Sequence, residues 1–88
     1  MKLMIVILSD RDCEPVLEAL IREEFRVTRI ASTGGFLRRG NSTMLIGLDQ
    51  ERVDQALEII RETACDQMLA AQRRATVFVL DVAQYEQL

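Results

Sequence analysis

The chain has 88 residues, 49% of them hydrophobic and 28% charged, with no histidine and a formal net charge of −3. That length implies one domain, residues 1–88, whose core is thin because so short a chain buries only about 60–65% of its unfolded surface. Low proline and glycine exclude disordered and collagen-like classes, and the acidic balance argues against a general nucleic-acid binder.

The first segment, Leu3–Leu8, is apolar at every position, which predicts a central strand covered on both faces. Lys2 ahead of this run imitates a signal-peptide start. The run is too short for that role, however, and stops at Ser9-Asp10-Arg11-Asp12. Ser9 and Asp12 have capping-box spacing, and Cys13, Val16, Leu17, Leu20 and Ile21 then repeat at helical period. A helix is expected over about 11–24, with Pro15 near its first turn, where a missing N–H does little harm.

Phe25–Ala31 is rich in β-branched residues and reads as a strand, and Gly34, Gly35, Gly40 and Asn41 bracket a short exposed tip. Ser42–Leu48 is the returning strand, in which Gly47 marks a close approach to the backbone. Asp49 is expected to cap a second helix running to about Ala64 on the stripe Val53, Ala56, Leu57, Ile60 and Ala64. The stretch 65–74 has no clear period and reads as a connection with a short strand near Met68–Gln72, and Thr76–Val82 is the last strand.

The order β-α-β-β-α-β is that of an α+β, ferredoxin-like fold: a four-stranded antiparallel sheet with two helices on one face. Strands apolar on both sides then require a partner over the other face, so the pattern predicts an oligomer. The surplus of hydrophobic residues points the same way.

Chemistry is sparse. The usual general base is missing, and no nucleophile elbow, P-loop, dinucleotide fingerprint or metal cluster occurs, so an enzyme is not expected. Cys13 and Cys65 lack metal or disulfide spacing, which fits a reduced, cytoplasmic protein. Cys13 lies on the apolar stripe and is expected to be a buried structural thiol. Nothing approaches a membrane span.

The informative region is 25–48, which holds Arg26, Arg29, Arg38 and Arg39 and no acidic residue, so the rest of the chain is markedly acidic. A basic island of this kind suits a small anionic ligand or an acidic partner patch. Its glycines let a ligand approach the backbone, Thr28, Thr33, Asn41, Ser42 and Thr43 offer hydrogen bonds, Phe36 offers a ring, and Arg26 offers a phosphate fork. Composition alone favours a plainer reading, a glycine-rich hairpin tip with an exposed Phe36 gripping the neighbouring strand.

The run Thr33-Gly34-Gly35-Phe36-Leu37-Arg38-Arg39-Gly40-Asn41-Ser42-Thr43, preceded by Phe25-Arg26-Val27-Thr28, resembles the signature of the cyclic di-AMP receptor family. Met1-Lys2-Leu3, Arg52-Val53-Asp54 and Ala75–Leu80 are similar to family positions as well. The resemblance implies a P-II-like homotrimer that binds cyclic di-AMP, or a related adenine nucleotide, at its subunit interfaces and passes the signal to a downstream protein. It needs no metal or other cofactor. By the same resemblance Arg26, Thr28, Phe36, Leu37, Asn41 and Gly47 line the site from one subunit, and Phe78 and Gln87 reach in from a neighbour. Family members carry a long Gly-rich loop and an added strand pair where this chain has only 65–74. Glu24 stands where they more often have an amide. The alternative is therefore a protein-interaction module of the same fold that has lost nucleotide binding with that loop.

Overall fold

A computed structural model of the chain describes residues 1–30, 41–64, 75–86 and 88. Strand β1 spans Lys2–Ser9, and helix α1 follows at once over Asp10–Arg22. The chain turns here because Ser9 caps the helix: its Oγ accepts from the Asp12 N–H at 3.3 Å, and its hydroxyl lies 3.4 Å from Asp12 Oδ2. Pro15 falls at the sixth helical position, beyond the first turn where it was expected. The bond that an N–H there would make to the Arg11 carbonyl is therefore forgone.

The helix ends in a Schellman motif. The Phe25 N–H reaches the Leu20 carbonyl at 3.0 Å and the Glu24 N–H reaches that of Ile21 at 2.9 Å. Glu24 takes the left-handed conformation that this motif needs, with φ 67°. Helix α1 thus stops two residues earlier than the apolar stripe suggests.

Strand β2 covers Arg26–Ile30 and strand β3 covers Asn41–Leu48, a residue or so from the expected bounds. Asp49 does not cap a long helix. It precedes a single 3₁₀ turn, Gln50–Arg52, that its side chain does not cap, and helix α2 begins only at Val53 and runs to Thr63. Strand β4, Ala75–Asp81, completes the sheet. The strand expected near Met68–Gln72 lies outside the described residues.

The strands pair antiparallel in the order β2-β3-β1-β4, the split βαβ arrangement read from the sequence. Met4, Val6 and Leu8 of β1 and Met44, Ile46 and Leu48 of β3 share one face. They form a buried core with Cys13, Val16 and Leu20 of α1 and Ala56 and Ile60 of α2. The opposite face carries Leu3, Ile5 and Ile7 beside Thr43, Leu45 and Gly47, flanked by Arg26, Thr28 and Ile30 and by Thr76, Phe78 and Leu80. No helix covers it. Ile30, Phe78 and Leu80 are 45%, 50% and 47% exposed.

Candidate functional site

The register of the sheet sets Arg26 opposite Gly47 and Gly47 opposite Leu3, so three distant segments meet in one row. Above this row opens a groove of about 490 Å³, bounded by Met1, Leu3, Arg26, Thr28 and Gly47 and closed at its rim by Phe25, Arg52 and Tyr85. Gly47 keeps the floor low. A Cβ at that position would stand 3.3 Å from the Met1 terminal methyl, tighter than ordinary van der Waals contact. Lys2 also borders the groove but is engaged with Asp81 of β4, whose carboxyl is held below its ordinary range by that hydrogen bond and by the lysine charge. Glu24 and Asp49 place carboxylates on the same rim. The groove can therefore accept a partly apolar, anionic ligand against two guanidinium groups.

Three of the expected residues, Arg26, Thr28 and Gly47, come together here. Asn41 does not join them within the chain. It pairs with Ser9 at the far end of β3, six residues from Gly47, or roughly 20 Å along the strand. Phe78 shares a cross-sheet row with Ile5, Leu45 and Thr28, three strand spacings or about 14 Å from Thr28. Phe36, Leu37 and Gln87 lie outside the described residues. Within one chain, Asn41 and Phe78 thus stand apart from the row of Arg26, Thr28 and Gly47.

The rim residues Phe25, Arg52 and Tyr85 were not among the expected site residues. One signal for Arg52 was available: a residue just beyond the strand that holds Gly47 has to lie near that strand's end. Phe25 gave none, because its place depends on the left-handed turn at Glu24.

At the opposite end of the sheet a polar cluster ties α1 to the base of the β2–β3 pair. The buried Ser42 hydroxyl donates to Asp10 Oδ1 and accepts from Arg29 Nη2 at 3.5 Å, while Arg29 Nη1 meets Glu14 at 3.2 Å. Cys13 is fully buried and reduced beneath this cluster. Burial pushes its thiol pKa up, against smaller opposing effects of the Arg29 charge and of a Ser42 hydrogen bond. This is a structural thiol rather than a primed nucleophile. Among the described residues no group of His, Cys, Asp and Glu is placed to hold a metal, and no helix is long and apolar enough to cross a membrane.

Set against known protein families, residues 1–74 match the cyclic-di-AMP receptor. The chain belongs to the cyclic-di-AMP receptor family. The stretch matched includes β1, α1, β2, β3 and α2, and so every groove residue except Val82 and Tyr85. A member of this P-II-like family should carry the four-stranded sheet with helices on one face, and this one does. Among solved structures, the chain resembles that of a functionally unknown protein from Pediococcus pentosaceus. The two share 37% identity at a TM-score of 0.79, over 99% of this chain and 96% of the other. The two chains therefore match over nearly their whole lengths.

Proposed function

We propose that the chain is a non-enzymatic, P-II-like signal-transduction regulator that binds cyclic di-AMP, or a related adenine nucleotide, between the subunits of a cytoplasmic homotrimer. The observation that carries this reading is the convergence of Arg26, Thr28 and Gly47 on one groove within the part of the chain that matches the receptor family. Arg26 faces a phosphate, Thr28 hydrogen-bonds, and Gly47 leaves room for a purine. Phe36, Leu37 and Phe78 enclose adenine, and Asn41 and Gln87 add hydrogen bonds. The separation of Asn41 and Phe78 from the groove supports an interfacial site, since a second subunit can supply what one chain holds too far away. The uncovered apolar sheet face supports the trimer. A closed ring of heterologous contacts would bury it without leaving an open edge to polymerise.

Calorimetric titration with cyclic di-AMP, with ATP and cyclic di-GMP as controls, tests the reading. Saturable binding near one ligand per subunit is expected, and Arg26→Ala should weaken it roughly ten- to hundredfold by removing a charge-assisted contact. No heat and no thermal stabilisation would sink the proposal and leave the protein-interaction module, whose basic tip at Arg38 and Arg39 would meet an acidic partner.

A further inference from the structure

Arg52 is the N-cap of α2 by position, yet its side chain makes no cap bond and turns to the groove instead. Three contacts hold it there. Its Cζ stands 3.9 Å from the centroid of the Phe25 ring, and its Nη2 donates to the Glu23 carbonyl at 2.8 Å and to Gln55 Oε1 at 3.5 Å. Two of the supports are fixed by the fold itself. Phe25 is 5% exposed and closes the Schellman motif, and Glu23 is the C-cap of α1.

Both side-chain hydrogen bonds of Arg52 leave from Nη2, and no bond to a described residue leaves from Nη1 or Nε. A guanidinium that served only to tie α2 to α1 would not need to border a cavity. This one borders it alongside Arg26, stacked on Phe25, which lines the groove as well. The third cation of the groove, Lys2, is already engaged by Asp81. We infer that Arg52 is a second anion-binding group of the groove, contacting one phosphate of a cyclic dinucleotide while Arg26 faces the other. The inference rests on the nucleotide reading above and adds to it a residue and a division of labour. The stacked, tethered guanidinium has already lost most of its rotamer freedom, so contact with a phosphate costs little further ordering. Glu24 and Asp49 on the same rim set the selectivity: a ligand with only one phosphate meets their repulsion with half of the compensation.

The test is calorimetry of the full chain with cyclic di-AMP for the wild type, Arg52→Gln and Arg52→Lys, over a range of salt concentrations, with apo melting temperatures alongside. Arg52→Gln should lose roughly ten- to hundredfold in affinity at low salt, with a shallower salt dependence than the wild type, and Arg52→Lys should recover part of both. Wild-type affinity and salt dependence in Arg52→Gln would overturn the inference and leave the nucleotide reading standing. Lost affinity with an unchanged salt dependence and a lowered apo melting temperature would also overturn it, because Arg52 would then act only by packing on Phe25. A wild type that binds no cyclic di-AMP would sink both readings together, a pattern distinct from the other two.

Discussion

Among the described residues, Glu24 alone combines a side chain with a positive φ. A φ of 67° places its Cβ against the following carbonyl, which costs an L-residue roughly 1–2 kcal/mol where asparagine or glycine would sit more easily. The strain is tolerated because two backbone hydrogen bonds and the burial of Phe25 depend on the turn. Glu24→Asn should therefore raise stability by about 0.5–1 kcal/mol, read as a higher urea midpoint with an unchanged m-value. A neutral or destabilising result would mean that the Glu24 side chain makes compensating contacts at the groove rim.

Among the elements, the tie between α1 and the β2–β3 pair bears on function, because the segment 31–40 joins those two strands. Ser42 is 2% exposed and serves Asp10 and Arg29 at once. Ser42→Ala should cost about 1–2 kcal/mol, since both hydrogen bonds go and the Arg29 guanidinium loses its inner partner. The loss should appear in chemical denaturation, and Arg29→Gln in the Ser42→Ala background should then cost less than it does in the wild type, as shared partners require. Additive costs would show that the two residues act independently. Helix α1 itself is held by its apolar stripe, with Val16 and Leu20 fully buried, rather than by this polar cluster.

On the scale of the whole molecule, the unequal faces of the sheet dominate. On one face the helices bury the side chains of β1 and β3. The other sets Ile5 and Leu45 at its centre between the exposed Phe78 and Thr28. Strand β4 is open on both sides, with Val79 41% exposed toward the helical face. An apolar surface of this extent is rarely left bare by a soluble protein. Light scattering at micromolar concentration should report a trimer. Ile5→Asp, which puts a charge at the centre of the uncovered face, should yield a monomer that keeps its far-ultraviolet dichroism. A monomeric wild type would remove the basis for an interfacial site and leave Asn41 and Phe78 without a route to the groove.

The order of elements, their approximate bounds and the core-facing residues are legible in the amino-acid string. Those properties rest on periods of 2 and 3.6, set by the local geometry of strand and helix, and they survive in a string of residues. Leu3–Leu8, the α1 stripe and the buried Cys13 were legible for that reason. The charge island over 25–48 is likewise plain in the residues, while its glycine-rich tip lies outside the described residues. Tertiary structure alone decided which ends of the strands meet. Pairing register joins segments remote in the chain, and it sets Arg26 and Thr28 beside Gly47 while carrying Asn41 to the opposite end of the same strand. It also decided that Asp49 precedes a 3₁₀ turn rather than capping a helix, and that the turn delivers Arg52 onto Phe25 at the groove's rim. Such a contact depends on the relative placement of two helix ends, which only the packed core sets.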